Sequence, residues 1–203
     1  MITKQFIHLH FPRSGGTSLR HVLCSKFKDQ IDILNERNHP LLEDIRALAP
    51  DVPRFIIARN PWSWYVSWYL HCVEVRGYAF SFEQHLEECV NEIGKDSLCV
   101  PHRPLGGCSE SFNGFTADGV EDIGFFRDVP NVYAEFVSKY SGIEYDAILA
   151  VLKKVKLRPS YGHADSVKRH YSTWYTERTR DMVLYADREY IQRFMFEFEE
   201  EPV

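Results

Sequence analysis

Along the chain, short apolar runs alternate with stretches whose apolar positions recur three and four residues apart. Gln5 to Phe11 is an apolar-rich run closed by Pro12, which predicts a buried strand. The first eleven residues lack the long apolar core and small-residue cleavage site of a secretion signal, so they too predict strand. Pro12-Arg13-Ser14-Gly15-Gly16 predicts a turn, and Leu19, Val22 and Leu23 give Thr17 to Phe27 the spacing of a helix. Ile31 to Leu34 predicts a short strand. Behind Pro40, a residue suited to the first helical position, Leu41, Leu42, Ile45 and Leu48 form an apolar stripe. Arg54 to Ala58 predicts a second buried strand, and Asn60-Pro61 reads as N-cap and first residue of a long aromatic helix.

Phe82 to Ile93 predicts an amphipathic helix with Phe82, Leu86, Cys89, Val90 and Ile93 on one side. Lys95 to Gly119 is rich in Gly, Pro, Ser and Cys and has no period; it predicts a long loop, read as a substrate-side flap. Beyond it, Asp122 to Phe126 predicts a strand, Val132 to Tyr140 and Asp146 to Val155 helices. Thr176 predicts the cap of a final helical stretch towards Phe198. Strand, turn and helix in this alternation imply an α/β fold with a central parallel sheet and helices on both faces. No internal repeat or low-complexity linker divides residues 1–203, so a single domain is expected.

Composition narrows the function classes. The 44% hydrophobic and 26% charged fractions are those of an ordinary soluble globular protein. A net charge of −5 argues against general nucleic-acid binding, although a local basic pocket for a phosphorylated ligand is compatible with it. No apolar run approaches the ~20 residues that span a bilayer. Cys24, Cys72, Cys89, Cys99 and Cys108 are odd in number and form no CxxC pair, which indicates neither a disulfide framework nor a zinc site. The expected setting is a reducing cytoplasm.

The turn between the first strand and first helix is the strongest candidate for chemistry. A glycine-bearing strand-to-helix turn presents backbone N–H groups to an anion, aided by the positive end of the helix dipole. Gly15 and Gly16 permit close backbone approach, Thr17 and Ser18 add hydroxyls, and Arg13 adds a charge that cannot be deprotonated. Taken alone, the turn also fits a tight connection without a ligand. A nucleotide triphosphatase loop requires G-x-x-x-x-G-K-[ST]; here Gly16 is followed by Thr17, which counts against it. Arg59 stands where the second strand ends, and Ser67 lies about two turns into the helix that follows. Singly these two residues also read as a surface charge and a helix-face serine.

Pro12-Arg13-Ser14-Gly15-Gly16-Thr17-Ser18-Leu19 resembles the 5′-phosphosulfate loop of sulfotransferases that use 3′-phosphoadenosine-5′-phosphosulfate (PAPS). Arg59-Asn60-Pro61 followed by Ser67, in the frame R-N-P-x(5)-S, resembles the 3′-phosphate motif of the same family, and Trp62, Trp64, Trp68 and Tyr69 fit its aromatic flavour. The two motifs in order, each on the expected kind of element, are far more specific than either alone. Ser18 stands where the cytosolic branch often carries an adenine-stacking tryptophan, which aligns the chain with the carbohydrate and protein branches. The resemblance implies a P-loop-like sulfotransferase fold, PAPS as donor, adenosine 3′,5′-bisphosphate (PAP) as product, and no required metal. Arg13, Ser14, Gly15, Gly16, Thr17, Ser18, Arg59 and Ser67 would bind the donor, with Arg13 in the place of the family's catalytic lysine, stabilising the leaving group.

Sulfuryl transfer to a hydroxyl is helped by a general base of near-neutral pKa, for which histidine is the natural candidate. His39, in the Asn38-His39-Pro40 turn beyond a strand end, matches the family's habit of placing a catalytic histidine or glutamate between the phosphate motifs. A turn or capping histidine is its bland alternative. Glu36 and His71 are rival bases; Glu74 and Arg76 could line the acceptor side, and His8 and His10 are expected to pack in the sheet. Asp122 to Val129 resembles a later family segment, with Arg127 in place of its customary glutamate, so no role is carried over there. His170 to Asp187 resembles the closing pattern of aromatic turn and helix; the preceding Lys168 and Arg169 read either as cations for the 3′-phosphate or, equally, as a solvated charged face. The acceptor, whether glycan, small molecule, lipid or protein, is not written in the sequence. The alternatives are a small nucleotide or metabolite kinase, or a nucleotide-binding module without turnover.

Overall fold

The computed structural model describes residues 1–35, 42–91, 107–154 and 169–199. The chain is α/β, and it groups into two compact units: Met1–Ala58 with Phe115–Leu157, and Arg59–Gly114 with Arg158–Val203.

The first unit is built on a sheet of five strands, β1 (Ile2–Thr3), β2 (Ile7–Leu9), β3 (Ile33–Asn35), β4 (Arg54–Ala58) and β5 (Asp122–Phe125), in the order β3-β1-β2-β4-β5. The expected all-parallel sheet is corrected to a mixed one: β2, β4 and β5 run parallel, while β1 is antiparallel to both β2 and β3. The cause is a tight reversal inside the run read as a single strand. Thr3 closes it, its hydroxyl donating to the Phe6 carbonyl at 2.6 Å and accepting the Phe6 N–H at 2.8 Å.

Helices α1 (Gly16–Lys26), α6 (Val129–Ser141) and α7 (Tyr145–Lys154) supply the core that covers one face of this sheet. Strand alternation decides which side chains meet them. Phe55 and Ile57 turn towards Leu19, Leu23, Tyr133, Phe136 and Val137, whereas Ile56 and Ala58, equally buried, point to the opposite side. Gly124 on β5 is a close-approach glycine, since a Cβ there would stand 2.2 Å from Val132. Helix α2 (Leu42–Leu48) buries Ile45, but Leu48, read as part of its apolar stripe, is exposed.

The second unit contains α3 (Pro61–Arg76), α4 (Phe82–Asn91), α5 (Cys108–Thr116), α8 (Glu177–Ala186) and α9 (Arg188–Phe194), with a short 3₁₀ turn at Tyr171–Trp174; the last two residues of α5 fall in the first unit. Helix α3 begins as expected: Asn60 caps it by accepting the Ser63 N–H at 3.3 Å, and Pro61 occupies its first turn. The Lys95 to Gly119 stretch differs from expectation where it is described, because Cys108–Thr116 is helical; residues 95–106 lie outside the described residues. Thr176 does cap a helix, through a capping box with Thr179, but the stretch towards Phe198 is two helices that meet at Asp187. No helix among the described residues is long and apolar enough to cross a membrane.

Candidate functional site

The glycine turn connects β2 to α1. Arg13 and Gly15 both take left-handed backbone, at φ 64° and 84°, and the chain then enters the helix at Gly16. Gly15 stands at the N-cap and brings no side chain to it, so the first N–H groups of α1 are offered to another acceptor. Ser18 and Leu19 return their N–H groups to the Gly15 carbonyl, at 3.1 and 3.4 Å, which draws the first turn tight.

What lies beneath the turn explains both glycines. A Cβ on Gly16 would come within 2.4 Å of the His10 ring and 2.6 Å of the His8 ring, and one on Gly15 within 3.2 Å of Val129. His8 and His10 are buried as expected, with rings stacked 5.7 Å apart, and His8 also meets Tyr133 edge-on at 5.3 Å. The Tyr133 hydroxyl lies 3.0 Å from the Ser14 carbonyl and 3.2 Å from His8 Nε2. Sequence reading passed over this support from α6, since nothing in a buried helical tyrosine names the loop it will hold.

The anticipated loop residues therefore separate by role. Ser14 is fully buried and its hydroxyl donates to the Phe11 carbonyl at 2.5 Å, so it presents backbone rather than side chain. Thr17 is exposed, and Arg13 and Ser18 are half-buried at the mouth of the turn.

In the second unit, Arg59 directly follows β4 and is half-buried. Its backbone N–H donates to the Tyr190 hydroxyl at 3.2 Å, and that hydroxyl donates back to the Arg59 carbonyl at 3.2 Å. Its Nε donates to Ser63 Oγ at 3.0 Å, one turn into α3, which sets the plane of the guanidinium. Ser67 is buried on the same helix. The register of β2 on β4, Leu9 beside Ile56, puts the carboxyl ends of these two strands side by side. Each leads in sequence into one of the two motifs.

The remaining candidates divide between surface and interior. Arg169 is exposed, and His71 and Glu74 are half-buried on α3. His39, Glu36 and Lys168 lie outside the described residues, as does the side chain of Arg76. Compared with family models, with curated proteins and with solved structures, the chain matches none.

Proposed function

We propose that this protein is a sulfotransferase that moves a sulfuryl group from PAPS to a hydroxyl or amine of its acceptor, on a P-loop-like sulfotransferase fold. The observation that carries the reading is the β2–α1 turn, whose helix start has no side-chain cap, whose Gly15 takes left-handed backbone and whose Gly16 sits where no Cβ fits. This is the cradle that a phosphate or phosphosulfate requires. The Arg59-Asn60-Pro61 entry to α3 supports the same reading, with an arginine held by Ser63 and Tyr190 in place of a mobile surface charge.

In this reading the turn and Arg13 bind the 5′-phosphosulfate, and Arg59 and Ser67 bind the 3′-phosphate. His39 accepts the proton of the acceptor hydroxyl as its oxygen bonds to sulfur. The bond from sulfur to the bridging oxygen breaks, its electron pair stays on the 5′-phosphate of PAP, and Arg13 offsets the charge that develops there. The products are PAP and the sulfated acceptor, formed in the cytoplasm without a required metal.

Two measurements test the proposal. PAP should raise the melting temperature while ATP with magnesium does not, and radiolabelled PAPS should label a member of an acceptor panel of glycans, phenols, lipids and tyrosine peptides. Stabilisation by ATP with magnesium but not by PAP would overturn it in favour of a kinase.

A further inference from the structure

We infer that Tyr133 is a positioning residue for the phosphate-binding turn: its hydroxyl holds the Ser14 carbonyl against the core and thereby turns the Gly15 N–H outward, towards a bound anion. The inference rests on the donor-binding reading above, and Tyr133 itself touches no ligand in it.

The argument is one of peptide geometry. Across a trans peptide the carbonyl of one residue and the N–H of the next point in opposite directions. The Ser14 carbonyl accepts from the Tyr133 hydroxyl at 3.0 Å, on the side of the turn that faces α6. The Gly15 N–H of the same peptide therefore faces away from the core. Left to itself this peptide has two accessible orientations, because Gly15, now at φ 84°, tolerates either sign of φ. In the flipped orientation the turn would show an anion a carbonyl oxygen instead of a donor. One hydrogen bond chooses between a cradle that attracts phosphate and one that repels it.

The donor is itself held in place. A phenol has a single proton; once it is given to Ser14, the oxygen accepts, and His8 Nε2 stands 3.2 Å away to donate. The Tyr133 ring is clamped by Phe55 at 6.3 Å and by the His8 edge contact, so the hydroxyl has little room to swing. Burial pushes the phenol far above its usual pKa, which keeps it a donor wherever the protein is folded.

Tyr133→Phe removes this one oxygen and keeps the ring. Titration calorimetry with PAP should show its Kd raised about tenfold or more, the scale of a lost hydrogen bond to a charged group. Tyr140→Phe on the same helix is the control: its hydroxyl donates to Asp122, away from the turn, and its removal should leave PAP affinity unchanged. In ¹⁵N-labelled wild-type protein, the Gly15 amide should be among those most shifted by PAP. Tyr133→Phe binding PAP as tightly as the wild type, or an unmoved Gly15 amide, would overturn the inference and leave the donor reading standing. Equal weakening by both variants would overturn it as well, by showing a general loss of α6 packing. A wild type that binds no PAP at all would overturn the donor reading and the inference with it.

Discussion

The carboxylate of Asp187 accepts the backbone N–H of Ser109 at 2.7 Å, so an acid at the junction of α8 and α9 caps the first turn of α5. Asp187 is fully buried, and burial raises its pKa by more than the Ser109 bond lowers it. An acid whose folded pKa is raised gives its stability below the unfolded value, about 3.9, and loses it as pH climbs through the folded value. Asp187→Asn keeps an acceptor for Ser109 and removes the titration. Urea denaturation across the acid range should therefore show the wild type losing ground to this variant as pH rises, until Asp187 is ionised. Asp187→Ala should cost about 1–3 kcal/mol in the acid range, because it leaves the half-buried Ser109 N–H unsatisfied, and less as pH rises and the wild type loses its own stability.

At Gly16 helix propensity and sterics oppose each other. Alanine in place of glycine gains about 1 kcal/mol in a helix, yet the added Cβ would stand 2.4 Å from His10 and 2.6 Å from His8. Neither ring has a cheap way out, since both are buried under the turn. Gly16→Ala should therefore destabilise, by about 1–3 kcal/mol as overpacking does, and should weaken PAP binding by deforming the turn. A variant as stable as the wild type and with unchanged affinity would show that the rings yield freely.

Arg59, assigned to the donor in the proposal, is oriented through Ser63 and Tyr190. Arg59→Ala should weaken PAP binding by about 10- to 100-fold, as loss of a charge-assisted contact to phosphate does. Arg59→Lys should recover little of this, since lysine has no Nε to meet Ser63 and no planar fork. Full recovery with lysine would reduce the role of Arg59 to bulk charge.

Metal removal separates the two enzyme readings. If the donor's charge is met by arginine and backbone amides, as proposed, EDTA should leave sulfuryl transfer unchanged. Strict dependence of turnover on magnesium would favour the kinase reading.

How much of this was legible depended on how local each determinant is. The start of α3 could be read because cap and first residue are neighbours, Asn60 and Pro61. The turn before α1 could be read because glycines mark it. The β1–β2 reversal could not, since Thr3 closes it with its own side chain and no glycine, proline or asparagine stands at the bend. Helix α5 was hidden for the opposite reason: its cap comes from Asp187, 78 residues further on, so the local sequence looks like loop. The split between α8 and α9 escaped because the helical polar pattern runs on through Asp187. The hold of Tyr133 on Ser14 spans 119 residues, and no pattern in either segment announces it.

The mechanism depends most on His39, which lies outside the described residues and whose assignment rests on the sequence. As the general base, it must be neutral to accept a proton, so the rate should rise with pH through its pKa, ~6.5 if unperturbed. His39→Ala should lower turnover by ~10²–10⁴-fold, the usual contribution of a positioned base, and should lose that limb of the profile. PAP affinity should hardly move, because the phosphates are assigned to the motifs on either side of it. A histidine that only caps or packs would behave differently: its loss would lower the melting temperature and leave the shape of the pH profile intact. Normal stability with a near-normal rate would take the base away from His39. The same assay on Glu36→Gln and His71→Ala would then locate it, since only the true base removes the rising limb.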